Sequence, residues 1–237
     1  MLQRLDKLIA SQGTLSRSEA VRLIRTGRVM VGETVCRDPA IKIDPDSCSV
    51  TVAGKPLLYQ QYVYIMMNKP AGILCVSRDP KAPTVVDLLP SEQKRKGLFP
   101  AGRLDKDTTG LVILTDDGDF AHRILAPKKE IVKRYHARLD GPLTEADVDA
   151  FQQGIVLADG TRCRPASLQI LQGGEQALAE VKITEGRYHQ IKRMFGVRGL
   201  GVTALRRLSI GGLCLDETLA AGESRFLTDE ERLQLFA

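Results

Sequence analysis

The sequence has no tryptophan, only three histidines, and aromatic side chains make up 5% of its 237 residues. Its five cysteines, Cys36, Cys48, Cys75, Cys163 and Cys214, are scattered without a C-x-x-C pair. Cysteine and histidine this sparse argue against a zinc site and against a disulfide framework, so no metal is expected. Long apolar runs are missing as well. None approaches the ~20 residues that cross a bilayer, and the opening Met-Leu-Gln-Arg-Leu-Asp lacks the apolar core of a signal peptide. The expectation is a cytoplasmic protein without a membrane partner, with a monomer as the simplest state. Hydrophobic content of 43% and charged content of 27% exclude a disordered or collagen-like chain. The length is comfortable for two domains and a sizeable core.

Charge is present in excess and unevenly placed. Lys and Arg total 34 against 29 Asp and Glu, a net of +5. Residues 1–30 hold Arg4, Lys7, Arg17, Arg22, Arg25 and Arg28 against Asp6 and Glu19. Residues 181–207 hold Lys182, Arg187, Lys192, Arg193, Arg198, Arg206 and Arg207 against Glu185 alone. Two basic clusters point to a polyanion, nucleic acid being the commonest. A solvated basic face that serves only solubility is the competing reading.

Along the chain, Leu5, Leu8 and Ile9 have helical spacing, and a second helix opens at Ser16, with Glu19 closing a capping box and Gly27 ending it. On it Ala20, Leu23 and Ile24 turn inward while Arg22 and Arg25 share the other face, with Arg17 and Arg28 at its ends. Val29 to Val35 reads as a hairpin around Gly32-Glu33. A linker is expected at about 55–60, dividing a first domain 1–58 from a second, 59–237. Beyond it, Tyr62–Met67 reads as a strand forming a hairpin with Ile73–Val76 through Asn68-Lys69-Pro70-Ala71-Gly72. Asp117 or Asp119 caps a helix stopped by Pro127, and Ile131–Asp140 alternates as a half-buried strand that carries Tyr135 inward. Thr144 caps a helix to Gly154, Ala166–Gln172 pairs with Ala177–Thr184, a short helix closes at Gly196, and Thr228 with Glu231 caps the last helix. Strands without regular βαβ spacing predict an α+β fold: a small αα-plus-hairpin module followed by a mainly antiparallel catalytic domain with short helices.

The densest chemistry lies at 102–119, Gly-Arg-Leu-Asp-Lys-Asp-Thr-Thr-Gly-Leu-Val-Ile-Leu-Thr-Asp-Asp-Gly-Asp, where carboxylates precede an apolar strand. Asp105, Asp107, Thr109, Gly110 and Asp116 fall at EF-hand loop positions, but glycine and proline replace the first helix and a strand occupies the second half. Asp105 and Asp107 also resemble the D-x-D-x-T signature of haloacid dehalogenase-type phosphatases, which would need magnesium. Those aspartates follow an apolar strand in a parallel sheet, whereas Pro-Ala-Gly-Arg-Leu precedes them here.

A third resemblance spans nearly the whole chain. Residues 1–50, with Arg-Leu-Asp-Lys at 4–7, Ser-Arg-Ser-Glu-Ala at 16–20 and Gly-Arg-Val-Met-Val at 27–31, resemble the S4 RNA-binding module. Gly102–Leu111 resembles the catalytic motif of pseudouridine synthases of the RsuA branch. Asn68–Gly72, Lys133-Arg134-Tyr135, Glu185–Phe195 and Arg207–Leu213 agree with that branch in order. The resemblance implies an enzyme that isomerises a uridine of ribosomal RNA, in the small subunit, without cofactor, on free RNA or an assembly intermediate. Large-subunit RNA, or a non-catalytic S4-type RNA-binding or assembly protein, stays open.

The resemblance also implies roles. Asp105 is the catalytic carboxylate, attacking ribose or base. Because desolvation penalises its charge, a cation belongs beside it, and Lys192 matches that position, where many relatives carry arginine. Tyr135 matches the tyrosine that stacks on the target base, and Arg103 fills the gap left by the flipped-out uridine. Arg17, Arg22, Arg25 and Arg28 are expected to contact RNA, and Arg206 and Arg207 to meet phosphate. His189 is expected to pack or touch RNA, and Asp107, Asp116, Asp117 and Asp119 to hold loops and caps.

Overall fold

The computed structural model describes residues 2–13 and 15–237. It forms two compact units, Met1–Val63 with Leu89–Leu98, and Tyr64–Leu88 with Phe99–Ala237. The division expected at 58 therefore falls inside the first unit. The basic loop Lys94-Arg95-Lys96-Gly97, read from sequence into the second domain, groups with the first, where Arg95 donates from Nη1 to Gln60 O (2.8 Å) and from Nη2 to Gln61 O (2.9 Å).

In the first unit, β1 (Gln3–Arg4), α1 (Leu5–Ser11) and α2 (Arg17–Arg25) precede β2 (Val29–Val31), β3 (Thr34–Cys36), β4 (Lys42–Ile43), β5 (Val50–Val52) and β6 (Lys55–Pro56). The expected capping box forms: Ser16 Oγ accepts the Glu19 N–H at 3.2 Å, and the Ser16 N–H donates to Glu19 Oε2 at 2.8 Å. Leu5, Leu8, Ile9, Ala20 and Ile24 pack on Val29, Ile43 and Val50. The four-stranded sheet runs β3-β2-β5-β6.

The second unit contains β7 (Tyr64–Lys69), β8 (Phe99–Pro100), β9 (Thr109–Thr115), α3 (Gly118–Leu125), β10 (Lys133–Leu139), α4 (Glu145–Gln153), β11 (Ser167–Gln172), β12 (Leu178–Ile183), α5 (Gln190–Val197), β13 (Val202–Ile210), β14 (Leu213–Cys214), β15 (Ser224–Phe226) and α6 (Asp229–Gln234). Its sheet runs β11-β12-β10-β13-β9-β7-β15, with β8 on β9 and β14 on β13. All pairings are antiparallel except β9 with β13. β9 is buried from Gly110 to Thr115, so it reads as a continuous apolar run rather than an alternating one. Met66, Leu111 and Ile113 pack with Phe120, Ala121 and Ile124 of α3 and with Leu235. Asp117 rather than Asp119 caps α3, its Oδ1 accepting the Phe120 N–H at 2.9 Å.

Two local expectations fail. Ile73–Val76 does not return along β7. Beyond Pro70 the chain leaves the sheet, the Gly72 N–H reaches Lys106 O at 2.8 Å, and Leu74 forms one isolated bridge with Thr84. β7 pairs instead with β9 and β15. α5 also runs through Gly196 to Val197, because burial of Ile191, Met194 and Phe195 outweighs the weak helix propensity of one glycine.

Gly110 sits where β9 meets β13. Its φ of +98° lies in the region open to glycine, and a Cβ there would come within 2.2 Å of Arg207 O. Gly110→Ala is expected to cost about 3 kcal/mol of stability, whereas Gly118→Ala, with open space around it, stays within about 0.5 kcal/mol. Urea denaturation of both variants checks this. At the start of β10, burial and then Arg207 lower the Lys133 ammonium from 10.5 to about 8. Below pH 8 both folded and unfolded chains carry that proton, so the cost of burying the charge is present in full. Between 8 and 10.5 the folded state releases it first, so stability rises with pH, by about 3 kcal/mol in all. Stability measured from pH 7 to 10.5 is expected to show that rise in wild type relative to Lys133→Met. Parallel curves would contradict it.

Candidate active site

One row of paired residues crosses four strands. Tyr135 of β10 pairs with Arg207 of β13, Arg207 with Gly110 of β9, and Gly110 with Lys69 of β7. The loop entering β9 carries Asp105, so this row forms the frame to which the carboxylate is attached. Glycine is required at the crossing because the β13 backbone occupies the space of a side chain.

Lys69 fastens the loop. Its side chain is fully buried, and Nζ donates to Pro70 O (3.0 Å), Lys106 O (3.1 Å) and Thr108 O (2.9 Å). Three carbonyls match the three donors of an ammonium. Burial lowers its pKa, opposed by the nearby Cys75, Asp107 and Asp105. The Gly72 N–H shares Lys106 O, and the Thr108 N–H closes a turn on Asp105 O at 3.1 Å. The Cys75 thiol donates to Gly102 O at 3.7 Å, and burial pushes its pKa up, which keeps it protonated. The backbone on both sides of Asp105 is thereby held.

The opposing wall is α5. Phe195 packs on Phe151 of α4 with ring centroids 4.8 Å apart, and Arg198 donates from Nε to Asp147 Oδ1 at 2.8 Å. These contacts fix the helix whose first turn presents Lys192. Lys192 Nζ lies 3.5 Å from Asp105 Oδ2, and 2.6 Å and 2.7 Å from the two Asp107 oxygens. His189 Nε2 lies 3.4 Å from Asp105 Oδ1. The pairing expected between Lys192 and Asp105 is thus shared, and its shorter half goes to Asp107, whose pKa Lys192 holds below the usual carboxylate range. An ammonium is a point charge without a planar fork, so it can serve two carboxylates at once. Asp107, expected only to shape the loop, anchors the cation, and His189, expected to pack or touch RNA, faces the carboxylate.

Tyr135 is 7% exposed, and its hydroxyl accepts from Arg207 Nη1 at 3.5 Å. It makes no hydrogen bond to Asp105 among the described residues and joins the site through the row. Arg207, expected at phosphate, is instead buried. Its Nε donates to Leu111 O at 2.7 Å, and Nη2 has no hydrogen-bond partner among the described residues. Arg206 is exposed, as is Arg103, which makes no side-chain hydrogen bond or ion pair among the described residues. In the first unit, Arg17 is partly committed to structure: with Arg4 it holds the buried Asp6 carboxyl at about 2. Arg22, Arg25 and Arg28 are exposed and make no side-chain hydrogen bond or ion pair among the described residues. Sequence reasoning gave Lys69 no role; the signal was a lysine ending an otherwise apolar strand just before Pro70.

A family model described as RNA pseudouridylate synthase matches residues 63–196, and an S4 domain model matches residues 3–47. The chain is 43% identical to the ribosomal small subunit pseudouridine synthase A of Escherichia coli, over 96% of this chain and 97% of that one. It is also 43% identical to the uncharacterized RNA pseudouridine synthase YtzG of Bacillus subtilis, over 96% of both. A crystal structure of a pseudouridylate synthase superposes with a TM-score of 0.68 at 38% identity, covering 98% of this chain and 99% of that one. The geometry around Asp105 therefore lies in a sequence and fold shared end to end with these proteins, and the chain belongs to the RNA pseudouridylate synthase family as an RsuA-type isomerase with an N-terminal S4 domain.

Proposed function

We propose that this protein converts a specific uridine of small-subunit ribosomal RNA to pseudouridine, with Asp105 as the catalytic carboxylate acting on a flipped-out nucleotide. The observation that carries this reading is Asp105 itself, one-quarter exposed on a fastened loop and faced by Lys192 Nζ at 3.5 Å and His189 Nε2 at 3.4 Å. Similarity to the small-subunit enzyme of E. coli supports the choice of RNA.

The reaction breaks the C1′–N1 bond of uridine, turns the uracil and joins C5 to C1′, after which C5 gives up its proton and N1 gains one. Atoms and electrons balance without an oxidant. An ionised carboxylate suits this chemistry because it can attack ribose or base and depart again. Lys192 is the cation beside that carboxylate, and Asp107 holds Lys192 in place. Tyr135, braced by Arg207, offers its ring to the uracil, and Arg103 fills the vacated stack. The S4 module docks on RNA through Arg22, Arg25 and Arg28, with a smaller share from Arg17. A single chain is the working unit on this reading.

Incubating unmodified small- and large-subunit ribosomal RNA, free and in assembly intermediates, with wild type and variants, then mapping pseudouridines chemically, tests the reading. Wild type is expected to modify one small-subunit site. Asp105→Ala and Asp105→Asn lose at least about 100-fold in rate, while Asp107→Asn retains measurable turnover. Product only in large-subunit RNA would transfer the assignment to that RNA, and unimpaired Asp105→Ala would end the catalytic assignment. Arg22→Ala combined with Arg25→Ala is expected to flatten the slope of log K against log salt by about 1.4–1.8, two phosphate contacts' worth, without altering the folded spectrum. An unchanged slope would remove these arginines from the RNA interface.

A further inference from the structure

Tyr188 is the most exposed aromatic side chain among the described residues, at 73%, against 40% for Tyr62 and Phe226. Its ring is nevertheless held. It lies on the imidazole of His189 with centroids 3.9 Å apart and planes inclined by 17°, and the same imidazole faces Asp105. A left-handed backbone at His189, φ +49°, turns the chain from Tyr188 into α5.

The segment below is braced throughout. Gln190 Oε1 accepts the Arg187 N–H at 2.9 Å, and Gln190 Nε2 donates to Glu185 Oε1 at 2.9 Å. Arg187 Nε donates to Glu185 Oε2 at 3.1 Å, and Arg193 Nη1 reaches Tyr188 O at 3.5 Å. One face of Tyr188 thus covers His189 while the other meets solvent, on a segment whose Arg187, Lys192 and Arg193 are paired with Glu185, Asp107 and Asp159. A braced, exposed aromatic face matches the way single-stranded RNA is held, with unstacked bases on π-faces.

We propose that Tyr188 is a stacking platform for an unstacked base flanking the target uridine, in the column base, Tyr188, His189, with Asp105 at the imidazole edge. The inference rests on the functional reading above and extends it by naming a residue that grips the substrate strand outside the uridine pocket. Binding here contributes to affinity for the strand, and because any base can stack, it reads unstacked RNA rather than base identity. The platform predicts a preference for targets whose neighbour is free to leave its stack.

The test uses full-length protein and a short RNA containing the uridine located by the mapping experiment, with 2-aminopurine placed in turn on its 5′ and 3′ sides. Wild type is expected to quench the fluorescence at one of the two positions. Tyr188→Ala loses that quenching and raises KM about 5-fold to 100-fold with kcat within about 2-fold, and Tyr188→Phe restores both. Circular dichroism and thermal melting confirm that each variant folds. Unchanged quenching and KM in Tyr188→Ala would overturn the platform while the isomerase reading stands. A fall in kcat at constant KM would also overturn it, assigning Tyr188 to support of His189 instead. Absence of pseudouridine with wild type would sink both.

Discussion

The close approach of β9 and β13 at Gly110 is the constraint on which the site depends. Two backbones meet there with no room for a methyl group, and the pairing is the single parallel one in the second unit's sheet. From that contact the row extends to Lys69 on one side and to Arg207 and Tyr135 on the other. The loop bearing Asp105 leaves this junction and is tied back to it by the Lys69 ammonium. The Asp105 loop and the Tyr135 phenol are therefore referred to one sheet, while Lys192 comes from α5, fixed by its packing on α4.

Charge is distributed with the same economy. Lys69 and Arg207 are buried with no carboxylate partner among the described residues: carbonyls take the Lys69 ammonium, and Arg207 gives Nε to Leu111 O and Nη1 to the Tyr135 hydroxyl. Neither touches Asp105 among the described residues. Lys192 and His189 face it from the wall opposite the loop, with Asp107 sharing the ammonium. A buried cation bonded to carbonyls fixes geometry, whereas the partly exposed Lys192 ammonium is shared between two carboxylates. The two kinds of cation serve different ends, and their burial tells them apart.

Much of this was legible in the chain. Apolar periodicity with Ser16/Glu19, Thr144 and Thr228/Glu231 located α2, α4 and α6, because helix caps are local chemistry. The run Leu111–Leu114 read as a buried strand, and the alternation through Tyr135 and Ala137 gave the inward face of β10. The hairpin after β7 was misread because a turn-forming sequence, Asn68–Gly72, was assumed to return the strand on itself. Non-local bonds from Gly72 to Lys106 and from β7 to β9 decided otherwise. Arg207 was misread for a similar reason: an arginine in a basic cluster looks like a phosphate contact until the sheet closes over it.

The sequence by itself determined the helix caps, the strand faces, the two-module organisation and the motif holding Asp105, since these depend on neighbours within a few residues or on patterns along one chain. Only the tertiary structure decided that Lys69 ties the Asp105 loop, that Lys192 divides itself between two aspartates, that His189 faces Asp105 beside it, and that Tyr188 stands exposed there. The first three join residues tens of positions apart, brought together by the sheet and by the helix packed beside it. Such contacts are set by sheet order and register, which no local pattern encodes.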